Sequence, residues 1–419
     1  MKTDFTTASF KDFENIPNLN IYERAKAHEG YLNYLSENEF MNYRLLATSG
    51  CGPEIGLAED GYIKKGNYIS FVCNDYLGFT QHPEVKKAVI AGIEKYGTGA
   101  GASPLIGGYF DYHQELEDKI SAFFKRAKGS SSVYTTGYTS NSASLLCLLK
   151  KEDIAIVDMA VHASVYEGIT GTTVKRFLHN NIEALERILA SSKDTYRTKM
   201  VIIDGVYSQD GDIAKLKEIL DITHKYGGVL LVDDAHGIGV IGETGRGAME
   251  YFDVLDKVDI ITGTFSKTFG NVGGYLVANN PELISYLQFQ SRQYAFSAAV
   301  TPAIAGVTKA IELIDEEPQW QKQLWENITY YKKGLLDIGL EIGDTKSAII
   351  PVKIGDVYKN SLAGKMLLEN GIYTNPIMYP AVSLKDSRIR MSLMATHTKE
   401  HLDKALNVFE NVSKKLQIA

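Results

Sequence analysis

From residue 66 onward, short apolar runs alternate with amphipathic stretches. SSVYTT (131–136), IAIVD (154–158), KMVIID (199–204), GVLLVD (228–233), DIITG (259–263) and GYLVAN (274–279) have the length and β-branched content of buried strands. Between two of them, IAKLKEILDITHKYGG sets Leu216, Ile219, Leu220 and Thr223 on one helical stripe and closes at Gly227, a residue suited to a helix C-cap. Strands and helices in this alternation predict an α/β fold, with a mainly parallel sheet covered on both faces.

The pattern differs at the two ends. Residues 1–65 are polar and punctuated, with SGCGPEIG (49–56) reading as a loop, and are expected to form an N-terminal arm with some helix. Beyond about residue 305 come a helix, the runs SAIIPVKIG, GIYTNPIMYP and RIRMSLMA, and a closing helix. Leu402, Ala405, Leu406, Phe409, Val412 and Leu416 stripe that last helix, which is expected to pack on a small sheet. A large domain (66–305) followed by a small C-terminal α+β domain (306–419) is the simplest organisation, with no internal repeat or low-complexity segment.

Composition narrows the classes. A chain of 419 residues with 44% hydrophobic and 23% charged residues suits a globular protein with a large core. Its net charge of -7, with no block of Lys and Arg, argues against a nucleic-acid partner. Thr3, Asp4, Asp12 and Glu14 do not make a basic, apolar leader, and no apolar run approaches the ~20 residues that cross a bilayer. Cys51, Cys73 and Cys147 are far apart in sequence and lack a C-x-x-C pattern, so they indicate neither a disulfide framework nor a zinc site. A cytoplasmic, reducing setting is expected, with each cysteine a small core residue.

The chemistry concentrates at the ends of strands, where open parallel sheets bind ligands. GTFSKTFGNVGG (263–274) places Lys267 just past an apolar run, among hydroxyls and glycines with little bulk. Most lysines lie on solvated faces; these neighbours argue otherwise for Lys267. GVLLVDDAHGIG ends its strand in Asp233, Asp234 and His236, GTFSK contributes Thr264 and Ser266, and VYTTGYTSN contributes Gly137 and Tyr138. An acid, an imidazole, a lysine and hydroxyls on one sheet edge suit an anionic, nitrogen-bearing aromatic cofactor held by an amine.

With these motifs the chain resembles the pyridoxal 5′-phosphate (PLP)-dependent α-oxoamine synthases, which have the aspartate-aminotransferase-like PLP-dependent transferase fold. VDDAHGIGVIG, GTFSK followed by GG, FSAAVTP and RIRMSLMATHT carry the resemblance, which runs from NDYLG (74–78) to SLMATHT (392–398). The last motif is most like bacterial serine palmitoyltransferases. The resemblance implies that Lys267 holds the cofactor aldehyde and later moves a Cα proton, that Asp233 faces the ring nitrogen, and that His236 and Ser208 bond the ring hydroxyl oxygen. It further implies that His162 stacks on the ring, and that Gly137 and Tyr138 N–H groups with the Thr264 and Ser266 hydroxyls hold the phosphate. Ser297 and Ala298 would reach that phosphate from the neighbouring subunit of a homodimer. Arg390 would fork onto an amino-acid carboxylate, a geometry lysine cannot reproduce. Asn74 would lie near the substrate, and His113 matches a family position with a structural role.

The implied reaction condenses an amino acid with an acyl thioester, of coenzyme A or of acyl carrier protein, with loss of carbon dioxide. Serine with a long acyl chain is the first expectation, with cysteate, giving a sulfonolipid precursor, a close variant. Glycine or alanine with shorter thioesters, as in 8-amino-7-oxononanoate or aminooxobutyrate synthesis, comes next, and membrane contact would be peripheral at most. Pro104 in GASPLIGG, where many relatives carry arginine, and Ala381 in YPAVS, where biotin-pathway members carry threonine, are departures near the expected substrate sites. An aminotransferase on the same fold would share Lys267 and Asp233, whereas a non-catalytic scaffold would not need the lysine. GIGVIG (237–242) fits a dinucleotide fingerprint but does not open a helix directly after a strand. GLAEDG (56–61) has P-loop spacing without the following Lys and Ser or Thr.

Overall fold

The computed structural model describes residues 4–5 and 8–418, leaving part of the N-terminal arm outside the described residues. The chain forms two compact units. One contains the chain up to Cys73, Gln209–Gly211 and the chain from Trp325 on; the other contains Asn74–Ser208 and Asp212–Leu324. The divisions at 73 and 324 lie beyond the 65 and 305 expected from sequence, because helix Ala305–Glu316 packs against helices Pro83–Tyr96 and Asp111–Phe123 of the second unit.

That second unit is built on a sheet of seven strands among the described residues. They are β1 (Ser131–Tyr134), β2 (Ile154–Asp158), β3 (Thr173–Phe177), β4 (Lys199–Asp204), β5 (Val229–Asp233), β6 (Ile260–Thr264) and β7 (Gly274–Ala278). Their spatial order is β1-β7-β6-β5-β4-β2-β3. The run β3, β2, β4, β5, β6 is parallel, and β7 is antiparallel to both β6 and β1. The short connection Phe265–Gly273 explains the reversal, since parallel neighbours need a crossover of a dozen or more residues. Strands β2, β4 and β7 are buried along their whole length, as their continuous apolar runs predict. Helix Leu216–Lys225 buries Leu216, Ile219, Leu220 and Thr223, the stripe seen in the sequence. Strand β3 is an addition to the sequence reading; it is an edge strand that keeps Val174 and Arg176 exposed.

In the first unit, Glu54–Leu57 and Gly66–Ser70 pair antiparallel, and Ile372–Tyr373 joins Gly66–Ser70 in parallel. A second small sheet orders Ile349–Lys353, Arg388–Ser392 and Asn375–Ile377, all antiparallel. The closing helix, Lys399–Leu416, buries Leu402, Ala405, Phe409 and Val412. Its main neighbour is helix Val357–Glu369, which itself lies on Asn375–Ile377 and Arg388–Ser392. The stripe therefore packs first on a helix, where a sheet was expected. No helix among the described residues is long and apolar enough to cross a membrane.

Candidate active site

Lys267 sits at the tip of the β6–β7 connection. Phe265 N donates to Gly273 O (2.9 Å) and Gly270 N to Lys267 O (2.9 Å), so the loop is a hairpin end with its own hydrogen bonds. Gly270 makes that turn at φ +68°, and a Cβ there would come within 2.6 Å of Thr80 N. Both facts require glycine. The loop thereby presents the half-buried Lys267, whose Nζ lies 2.8 Å from His236 Nε2. His236 follows β5, and its other nitrogen, Nδ1, is 2.6 Å from the hydroxyl of Tyr76. Tyr76 OH also lies 3.3 Å from Asn74 Oδ1, completing a line from Asn74 through Tyr76 and His236 to Lys267.

Asp233 ends β5 beside Asp204, its register partner at the end of β4. One Asp233 oxygen accepts from Asn141 Nδ2 (2.6 Å) and the other from Ala235 N (3.1 Å). Asn141 also donates to Ser164 Oγ (3.0 Å), and Ser164 Oγ lies 2.8 Å from His162 Nδ1. The imidazole of His162 lines the cavity, and partial burial of the ring lowers its pKa, a shift opposed by Asp233 and helped by Lys267. A neutral ring face is thus offered to whatever binds. Burial, reinforced by the Asp233 charge, pushes the Asp204 carboxyl well above the ordinary range. Asp234 points the other way, accepting from Ala248 N (2.7 Å), and full burial lifts it to about 7. Adjacent in sequence, Asp233 and Asp234 therefore have different surroundings.

The anion end is built from a helix start and a strand end. Thr136 caps helix Gly137–Leu148, its hydroxyl accepting from Thr139 N (2.9 Å), while Ser140 N bonds Thr136 O (3.0 Å). The Gly137 and Tyr138 N–H groups precede the first of these bonds, where a helix offers donors to an anion. A Cβ on Gly137 would lie 2.5 Å from Thr264 Cβ, so glycine lets the helix start come up against β6. Thr264 Oγ1 and Ser266 Oγ are 2.8 Å apart at the same place.

A cavity of about 240 Å³ collects these groups: Gly137, Tyr138, His162, Ser208, Asp233, His236, Thr264, Ser266 and Lys267 all line it. Asn141 and Asp204 line it too, though the sequence reading passed over them. Ser297 and Ala298 do not; within one chain they line a small recess with Pro104, His113 and Thr139. His113 is buried and stacked against Tyr112, with Nε2 3.2 Å from Val300 O. Arg390 belongs to the other unit, on strand Arg388–Ser392, where it is buried and donates to Ser392 Oγ (3.1 Å).

Comparison with known proteins shows the family. The profile of the family Aminotransferase class I and II matches residues 66–409. An 8-amino-7-oxononanoate synthase from Thermoanaerobacter pseudethanolicus is 42% identical over 353 residues, covering 84% of this chain and 89% of that protein. The chain belongs to the α-oxoamine synthase family. A serine palmitoyltransferase of Sphingobacterium spiritivorum is 38% identical, over 84% of this chain and 88% of that protein. The structure of S. paucimobilis serine palmitoyltransferase with bound PLP and myriocin superposes with a TM-score of 0.90 at 28% identity, covering 96% of this chain and all of that one.

Family membership makes the missed residues interpretable. Asp204 carries the same signal as Asp233, an acid closing a buried strand, and could have been read from KMVIID. Asn141, Ser164 and Tyr76 carry no such signal. They are a small polar residue inside a helix, another beside a histidine, and an aromatic in a loop, and the fold alone brings them to the acid and the imidazole.

Proposed function

We propose that this chain is a PLP enzyme that condenses an amino acid with an acyl thioester and releases carbon dioxide. The observation that carries the reading is Lys267 Nζ, held 2.8 Å from His236 Nε2 in a cavity that has a carboxylate and an anion cradle. The residues fit the cofactor. Asp233 offers a buried carboxylate to a ring N–H; the Gly137 and Tyr138 N–H groups, together with two hydroxyls, offer donors to a phosphate; and the close approach of Gly137 to Thr264 leaves no side chain to fill that cradle. When bound, the cofactor supplies an electron-withdrawing ring conjugated to the substrate Cα.

The protein's own groups do the rest. Lys267 would hold the cofactor aldehyde through its amine, and its Nζ would serve to take up and return the substrate Cα proton. Asp233 would hold the ring nitrogen, His236 and Ser208 would bond the ring hydroxyl oxygen, and His162 would lie against the ring. Arg390 binds the substrate carboxylate, with Asn74 nearby, and Ser297 and Ala298 serve the phosphate of the partner subunit in a homodimer with shared sites. The acyl donor is a thioester of coenzyme A or acyl carrier protein.

For the substrates, the first reading is of the 8-amino-7-oxononanoate synthase type, favoured by the 42%-identical relative. That product divides at its ketone into an alanine-derived CH3–CH(NH2) unit and an ω-carboxy acyl chain. Serine with a long acyl chain is the second reading, favoured by SLMATHT and by the 0.90 superposition on a serine palmitoyltransferase. Incubating the enzyme with alanine, serine, glycine or cysteate, each with ω-carboxy or long-chain acyl thioesters, and identifying the ketone by mass separates the two. Accumulation of pyridoxamine phosphate with amino acid alone would mark an aminotransferase. Failure of borohydride to fix PLP on Lys267 would refute the cofactor assignment.

A further inference from the structure

We propose that Cys51 and Cys73 form a redox modification site, a dithiol that closes reversibly to an intramolecular disulfide. Their Sγ atoms lie 2.6 Å apart. That is little more than the ~2.05 Å of a disulfide bond. The sequence reading treated them as unrelated, because they stand 22 residues apart. The hairpin between them removes that separation. Glu54 pairs with Ile69, and Ser70 N donates to Pro53 O (2.9 Å), so the antiparallel register continued outward brings Cys51 opposite the Val72–Cys73 end. Both flanks are anchored: Phe71 N bonds Tyr373 O (2.9 Å), and Gly56 N bonds Ser49 Oγ (2.8 Å). The sulfurs are thus held together by strand pairing.

Both cysteines are partly exposed, whereas Cys147 is buried in helix Gly137–Leu148. A small hydroperoxide can therefore reach the pair. One thiol, as its thiolate, attacks a peroxide oxygen and becomes a sulfenic acid, the leaving hydroxide taking the thiol's proton to form water; the second thiolate then displaces the sulfenic hydroxyl, which leaves with that thiol's proton as a second water. Two thiols and one hydrogen peroxide give one disulfide and two waters, and a low-molecular-weight dithiol reverses the change. In a reducing compartment such a pair acts as a transient sensor rather than a permanent staple. Cys73 leads directly into Asn74, so closure fixes the chain just before the Asn74–Tyr76 segment that contacts His236. The site does not depend on the reaction proposed above.

The test uses the full chain, treated with hydrogen peroxide and then examined by thiol counting in denaturant and by non-reducing peptide mapping. The expected result is loss of two of the three thiols, with Cys147 remaining. The peptides containing residues 51 and 73 should be joined at a mass about 2 Da below their sum, and dithiothreitol should separate them. Cys51→Ser and Cys73→Ser should each abolish the linkage, and Cys147→Ser should leave it intact. Three thiols surviving the treatment, separate over-oxidation of Cys51 and Cys73, or a linkage between two chains would each overturn the proposal.

Discussion

Replacing Asn141 with leucine removes one amide and puts a somewhat larger apolar side chain in its place. In the native protein that amide donates to Asp233 Oδ2 at 2.6 Å and to Ser164 Oγ at 3.0 Å, and the residue is 2% exposed. A hydrogen bond to a charged group contributes about 1.5 to 3 kcal/mol. If all of it were realised in holding the Asp233 carboxylate towards the ring nitrogen, kcat/KM would fall by roughly 10- to 150-fold, at about 1.36 kcal/mol per decade. Ala235 N still bonds the other oxygen, so Asp233 stays in the cavity and PLP content should remain close to stoichiometric. Ser164→Ala removes only the weaker, neutral partner and should cost less than tenfold. The assay is steady-state turnover alongside PLP absorbance and a denaturant melt for each variant. A leucine variant with full PLP and turnover within twofold of the native enzyme would refute the reasoning, because Asp233 would then need no support from the helix.

Tyr76→Phe leaves His236 Nδ1 without the hydroxyl 2.6 Å away, so it should lower stability by about 1 to 3 kcal/mol in urea titration. It should also change the pH dependence of PLP absorbance, through the His236–Lys267 contact. Burial lifts the Glu117 carboxyl from 4.5 to about 7. The folded chain therefore keeps a proton that the unfolded chain releases, and stability falls as pH rises from 4.5 through 7; Glu117→Gln should flatten that fall, by at most about 3 kcal/mol, in melts at pH 5 and pH 8. Asp204→Asn mimics the protonated acid and should keep turnover within about fivefold at pH 7, while Asp233→Asn should lose at least a hundredfold; equal losses in the two would show that Asp204 carries charge in catalysis.

Much of this site was legible in the sequence because its chemistry follows from strand ends. Buried strands announce themselves as apolar runs, and the residue that stops each run, Asp233 on β5 or Thr264 on β6, falls at the edge of the sheet where ligands bind. Strand β3 escaped because it is an edge strand, and Thr173, Lys175 and Arg176 break the apolar run on which the reading depends. The β7 reversal could have been read from the short β6–β7 connection; the hairpin that pairs Cys51 with Cys73 shows only once the strand register is known.

Electrostatics explains why the acids could be found but not sorted. Asp204, Asp233 and Asp234 look alike in sequence, and all three are buried. Asp234 is enclosed in the interior and accepts a backbone N–H, which gives it a structural place. Asp204 and Asp233 end adjacent parallel strands, and two carboxylates so close cannot both ionise cheaply. Asp204 is the one pushed well above the ordinary carboxylate range, by burial and by its neighbour's charge. Asp233 is the one supplied with two donors, from Asn141 and Ala235. Asp233 is therefore the acid held in place at the cavity, because a helix residue with no chemistry of its own, Asn141, turns its amide towards the strand end.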